Sequence, residues 1–135
     1  MKDNSTIEAI LPTELSIKNV ETNIVGTWRL IEKGIDLKQY ENHVCTAPES
    51  MMKNQYMIVW SKTTNDEKRN FKENGDYNSY LKTTLSCQGT YKITNGDALE
   101  MITTCLNFSE KIVGLTSDLF IIKEGEHFYK YGKSN

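Results

Sequence analysis

The sequence predicts an all-β fold, a single antiparallel up-and-down barrel of eight to nine strands with a short N-terminal segment before it. Composition favours strands over helices, because twelve Asn accompany only three Ala. Short β-prone runs follow one another from Ile24 onward. Turn signals separate them at Asn74-Gly75, Asn95-Gly96 and Glu124-Gly125, where Gly or Asn tolerates a positive φ. Consecutive hairpins form a meander, and closing it into a barrel removes the exposed edges.

The chain is predicted to be one domain with two parts, since its 135 residues match the usual size of a single domain. Residues 1–23 are predicted to be a tether or a short helix, in which Ile7, Ile10 and Leu11 share one face and Pro12 ends the element. Residues 24–135 are predicted to form the barrel. The expected strands are Ile24–Lys33, Tyr56–Lys62, Asn70–Glu73, Tyr77–Leu81, Gly89–Thr94, Ala98–Leu106, Lys111–Leu115, Leu119–Lys123 and His127–Tyr131.

The hairpin at Asn95-Gly96 has a register that alternation determines. Apolar residues occupy odd positions on both sides of the turn, and opposed residues in an antiparallel pair point to the same face. A two-residue loop would pair odd with even positions. We therefore predict a three-residue loop, 95–97, which pairs Ile93 with Leu99 and Tyr91 with Met101. The same register places Cys87 opposite Cys105.

Both faces of the C-terminal hairpin are apolar. Leu119, Ile121 and Phe128 fall on one face, and the other face carries Phe120, Ile122, His127, Tyr129 and Tyr131. We expect one face to line the interior and the other to meet an N-terminal segment or a partner chain. With about eight strands, the interior is either filled by side chains or holds one small ligand.

Charge and hydropathy exclude several functions. Sixteen basic and eighteen acidic residues, without a long run of either sign, make nucleic acid an unexpected partner. No stretch approaches the roughly 18 apolar residues of a transmembrane helix. No metal is expected, because there is no Cys-x-x-Cys pair and His43 lies far from His127 in the sequence. No cofactor is expected, because the sequence has no Gly-rich phosphate loop.

Three segments carry a family resemblance. Gly26-Thr27-Trp28 opens the first barrel strand, Phe71 precedes Gly75 in a Phe-x-x-x-Gly hairpin, and Gly89-Thr90-Tyr91 follows Cys87. Over about residues 24–132 this series resembles the small lipocalin-like domains common in Bacteroidetes. The resemblance implies a closed antiparallel barrel with a cavity, a small apolar ligand, and a secreted or lipid-anchored protein of the bacterial cell envelope.

The chain also departs from related families. Classical lipocalins place an Arg from the last strand across the Trp of the first, but both Arg residues here precede position 70. Lys130 or Lys133 is expected to take that place, without the planar stacking surface of a guanidinium. Fatty-acid-binding proteins also open with Gly-Thr-Trp, yet their C-terminal Arg-x-Tyr has no counterpart in Tyr129-Lys130-Tyr131. They remain relatives in fold.

The three cysteines allow one intrachain disulfide. Register favours Cys87 with Cys105. A bridge to Cys45, and three free thiols, remain alternatives.

The candidate ligand-binding residues are the inward-facing Trp28, Tyr77, Tyr91 and Met101, together with His127 and Tyr129. Packing in the core is the alternative role for each of these residues, and it is the favoured role for Trp28. No catalytic residue is identified, because neither histidine has a partner at a catalytic spacing. We expect a non-enzymatic barrel that binds a small apolar ligand. A filled barrel acting as a structural or interaction module is the alternative, followed by a lipocalin-like isomerase or hydrolase.

Overall fold

The computed structural model describes residues 5–10, 17, 19–36, 56–63 and 65–134, with backbone alone for 5–10, 56 and 57. These residues form ten strands and one short helix. The elements are β1 (Ser5–Ile10), α1 (Val20–Asn23), β2 (Gly26–Asp36), β3 (Tyr56–Lys62), β4 (Glu67–Phe71), β5 (Asp76–Leu81), β6 (Thr84–Thr94), β7 (Ala98–Thr103), β8 (Asn107–Leu115), β9 (Leu119–Glu124) and β10 (His127–Ser134). No helix among them is long and apolar enough to cross a membrane.

Eight strands close into an antiparallel barrel. They lie side by side in the order β2, β10, β9, β8, β7, β6, β5 and β4. Residues 26–29 of β2 then pair with residues 68–71 of β4 and complete the wall. The predicted all-β, antiparallel barrel is confirmed.

The two remaining strands form a layer outside the barrel. β3 pairs with residues 32–36 of β2, and β1 pairs with β3. The predicted strand Tyr56–Lys62 therefore exists but lies outside the closed wall. The prediction of a short helix at Ile7–Leu11 was wrong, because β1 covers Ser5–Ile10. The edge of β3 supplies hydrogen-bonding partners that a short isolated helix would lack.

The last hairpin has two buried faces, as predicted. Phe120 and Ile122 pack inside the barrel, whereas Ile121 and Phe128 pack outside it. Trp60 of β3, together with Ile58, covers the outer face. Among the described residues, the cover comes from β3.

A glycine makes this cover possible. Gly34 of β2 lies opposite both Trp60 and Phe128. A Cβ atom at Gly34 would lie 2.5 Å from Cγ2 of Ile58 and 2.9 Å from the Trp60 ring. Hydrogen in place of a side chain lets the two layers approach closely.

The predicted register of the β6–β7 hairpin is confirmed. Ile93 pairs with Leu99 and Tyr91 pairs with Met101, across a loop of residues 95–97. Asn95 and Gly96 adopt φ values of 56° and 79°. These are the left-handed conformations that such residues tolerate.

The barrel has two different ends. At the closed end lie α1 and the turns near residues 74, 96 and 117; at the open end lie the turns near residues 83, 105 and 125. Trp28 is fully buried toward the closed end, and its indole N–H donates to the carbonyl oxygen of Ile24 at 2.8 Å. Side chains of the described residues fill this half of the interior, and a cavity lies toward the open end.

Candidate functional site

The interior opens into a cavity at the open end of the barrel, which we call the open-end cavity. It consists of two adjoining chambers of about 460 and 360 Å³. The chambers share the walls Glu67, Arg69, Leu106, Phe108 and Tyr131. Volumes of this size suit a small ligand, since small-molecule pockets measure roughly 300–1,000 Å³.

A buried ion pair crosses the cavity between opposite parts of the wall. Nη1 and Nη2 of Arg69 donate to Oε1 and Oε2 of Glu110 at 2.6 and 2.9 Å. The side chains are only 15% and 3% exposed. Arg69 comes from β4 and Glu110 from β8, so the pair spans the barrel. The bidentate geometry supplies the hydrogen bonds that a buried pair requires to offset its desolvation.

Aromatic rings enclose the guanidinium of Arg69. Its Cζ lies 5.2 Å from the ring centroid of Tyr131 and 5.9 Å from that of Phe108. Burial alone would lower the pKa of Arg69, but Tyr131 and Glu110 together raise it above the ordinary value. The group stays charged and held in one orientation.

The cavity also presents phenol hydroxyls. Burial raises the pKa of Tyr131, Tyr77 and Tyr129, so that all three stay protonated at neutral pH. Within the described chain, no group hydrogen-bonds the hydroxyl of Tyr131 or Tyr129. These two hydroxyls are available to a molecule in the cavity.

The rim of the open-end cavity carries two exposed leucines and a disulfide. Leu81 and Leu106 are 48% and 60% exposed there. Cys87 and Cys105 are bonded to each other, with Cα atoms 5.6 Å apart, and both line the larger chamber. This is the pairing that the register predicts. Cys45 lies outside the described residues.

A second cleft of about 690 Å³ lies at the closed end. Its walls are mostly polar and exposed, with Glu21, Glu73 and Lys92 among them. Tyr91 lines it and already donates its hydroxyl hydrogen to the carbonyl oxygen of Lys72 at 2.7 Å. Although it is larger than either chamber of the open-end cavity, this cleft lacks the buried charges and unpartnered phenol hydroxyls of that cavity, which we take as the site.

The structure separates the six residues predicted to bind a ligand. Tyr77 and Tyr129 line the open-end cavity. Tyr91 lies at the closed-end cleft instead. Trp28 and Met101 are fully buried in the core, where neither lines a cavity.

His127 was predicted on the same inner face as Tyr129, yet its side chain is exposed. It lies at the first residue of β10, beyond the cavity walls. Strand position explains the difference, because a residue at a strand end faces the solvent whatever its parity.

Sequence reasoning missed Arg69 and Glu110. A signal exists, since Arg69 alternates with Phe71 and Glu110 alternates with Ile112, two inward apolar residues. Charged residues that continue the parity of inward apolar residues therefore indicated two interior positions, without showing that they pair.

Comparison with known proteins supports the fold assignment. No protein-family profile matches this sequence, and no curated protein matches it. A crystal structure of a lipocalin-like protein from Bacteroides uniformis ATCC 8492 is similar, with a TM-score of 0.57 and 12% sequence identity. The similarity covers 83% of this chain and 99% of that chain. The closed eight-stranded barrel with its open-end cavity thus has a lipocalin-like fold.

Proposed function

We propose that the protein is a non-enzymatic binding protein whose open-end cavity takes a small, largely apolar ligand. One observation carries the proposal. An interior chamber of about 460 Å³ combines apolar walls with the unpartnered hydroxyl of Tyr131. Pockets that fix a small molecule pair apolar surface with a few placed polar groups in this way.

The arrangement favours binding over catalysis. The most buried carboxylate of the cavity, that of Glu110, is occupied by Arg69. In the described walls no histidine stands beside Ser79, Ser86 or another nucleophile. General acid–base or nucleophilic catalysis requires such a positioned pair.

The closed half of the barrel supports the alternative function, a structural or interaction module with a filled barrel. Trp28, Phe71 and Phe120 fill the interior there. The open-end cavity distinguishes the two functions, because a purely structural barrel has no need for unpartnered polar groups in an open chamber.

Substitution of one strand residue tests the proposal. Ser79→Phe places a ring in the larger chamber, whereas Asn78→Phe places the same ring on the outer side of β5. We expect the apolar dye N-phenyl-1-naphthylamine to bind the wild type and Asn78→Phe alike. Ser79→Phe should weaken the affinity at least about tenfold. Equal binding by both variants would contradict the site.

The cellular location of the protein and its natural ligand are tested with protein from its own source. We also propose that the protein acts in the bacterial cell envelope or outside the cell, where a disulfide such as Cys87–Cys105 persists. Cell fractionation should find it outside the cytoplasm. Native mass spectrometry of protein purified from its own source should show a bound small molecule. A cytoplasmic, ligand-free protein would contradict both proposals.

A further inference from the structure

The cations around the open-end cavity are paired with carboxylates. Lys33 lies 3.8 Å from Glu67, Lys68 lies 3.7 Å from Asp66, and Arg69 is bonded to Glu110. These three are the cations among the described residues of the cavity wall. Each already has a carboxylate partner.

An anionic ligand would have to compete with these carboxylates. The buried cation is Arg69, and both of its terminal nitrogens donate to Glu110. Moving Glu110 aside would leave its carboxylate buried without a partner, which is costly in a site that is only 3% exposed. Beside Tyr129, the wall carries a further acidic residue, Glu124.

Besides the exposed carboxylate of Glu124, the hydrogen-bonding groups that remain include two neutral phenol donors. The hydroxyls of Tyr129 and Tyr131 have no partner in the described chain. A ligand whose polar end is an uncharged acceptor, such as a hydroxyl, ether or carbonyl oxygen, would satisfy them without disturbing the ion pair.

We therefore propose that the open-end cavity selects uncharged amphipathic ligands over anionic ones, because Glu110 occupies the buried cation Arg69. This inference rests on the proposed binding function. It names the ligand class by the chemistry of its polar end.

The test uses two probes with the same ten-carbon chain. We expect 1-decanol to displace N-phenyl-1-naphthylamine from the wild type at concentrations at least about tenfold lower than decanoate. Decanoate binding as tightly as 1-decanol would overturn the inference while leaving the binding function intact. A wild type that binds no dye, and therefore shows no displacement, would overturn the binding function.

A charge-neutralising variant then tests the role of the pair. Glu110→Gln leaves Arg69 without a carboxylate, so decanoate should bind at least about tenfold more tightly, while the affinity for 1-decanol changes less than about threefold. Glu126→Gln, in the turn beside the rim, is the matched control and makes the same change in net charge. An equal gain of decanoate affinity in both variants would overturn the assignment to the pair.

A second variant covers the case in which Glu110→Gln does not fold. Arg69→Met/Glu110→Met removes both charges and leaves no buried ion. It should still prefer 1-decanol to decanoate. If decanoate then bound as tightly as 1-decanol, although no cation remains at Arg69 to hold it, occupancy of Arg69 by Glu110 would not be what excludes anions, and the proposal would be overturned.

Discussion

The ammonium nitrogen of Lys133 lies 4.3 Å from the ring centroid of Trp28 and caps the closed end of the barrel. The same nitrogen donates to the carbonyl oxygens of Val25 and Asn23 at 2.7 and 3.2 Å. Gly26 leaves room for it, because a Cβ there would lie 2.8 Å from Nζ of Lys133. Of the two lysines expected over Trp28, Lys133 takes the position, whereas Lys130 lies over Trp60 at 4.1 Å.

Removing this ammonium should loosen the closed end. Lys133→Met loses a cation–π contact and two hydrogen bonds to backbone carbonyls, and we expect the free energy of unfolding to fall by about 1–2 kcal/mol. Lys92→Met is the control, since Lys92 is exposed and lies 4.0 Å from Glu100. Urea unfolding measures the free energy of unfolding of both variants and of the wild type. A loss no larger than that of the control would show that Lys133 does not cap the barrel.

The ion pair of Arg69 and Glu110 should be strongly coupled in stability. Arg69→Met alone leaves Glu110 buried and unpaired, which should cost about 3–5 kcal/mol. Arg69→Met/Glu110→Met should cost less than that single variant, because neither charge then remains. A double-mutant cycle by urea unfolding gives the coupling. Additive losses would contradict a close, desolvated pair.

The disulfide between Cys87 and Cys105 should stabilise the oxidised protein. It links residues 18 apart in sequence, so restriction of the unfolded chain contributes about 3 kcal/mol. Cys105→Ser should lower the melting temperature under oxidising conditions and change it little in reductant. Cys45→Ser is the matched control. Non-reducing peptide mapping that joins Cys45 to Cys87 or Cys105 would contradict the pairing.

Tyr131 should make the fold sensitive to alkaline pH. Burial raises the pKa of its phenol in the folded state above the ordinary value of 10.0. The folded protein therefore keeps a proton that the unfolded chain loses. This contribution is complete below pH 10 and is lost as the pH rises toward the folded pKa, at a limiting slope of about 1.4 kcal/mol per pH unit.

The comparison of wild type with Tyr131→Phe isolates this contribution. Lys133 acts in the opposite direction, because burial lowers the pKa of its ammonium and stability rises with pH as that group deprotonates. Both proteins share Lys133, so its contribution cancels. The wild type should lose stability more steeply than Tyr131→Phe above pH 10. Parallel pH profiles would show that the phenol is not shifted.

The alternation of apolar and polar residues predicted those features of the fold that depend on strands adjacent along the chain. On both sides of the loop 95–97 the apolar residues occupy odd positions. This pattern predicts one register for the hairpin, and the structure has that register. Alternation also showed that both faces of the last hairpin are buried. It could not show that β3 covers the outer face, because Trp60 and Phe128 meet through a pairing of β2 with β3 across at least 21 residues of intervening chain.

The site was harder to predict than the fold, because its defining residues are charged. The expected strands began at Asn70 and Lys111, so Arg69 and Glu110 fell just outside them. In the structure β4 and β8 begin earlier, and the two charges compensate each other inside the barrel. Spatial pairing of two charges 41 residues apart requires the barrel topology, which sequence alternation alone does not supply.

The central claim is that a small ligand binds at the open end, and a titration of ¹⁵N-labelled protein with N-phenyl-1-naphthylamine tests it most directly. Amide shifts in heteronuclear correlation spectra locate the dye. We predict shifts concentrated at wall residues of the open-end cavity, such as Ser86, Leu106 and Tyr131, with Gly75 and Lys92 at the closed-end cleft unchanged. Shifts centred on Gly75 and Lys92, or no saturable shifts at all, would contradict it.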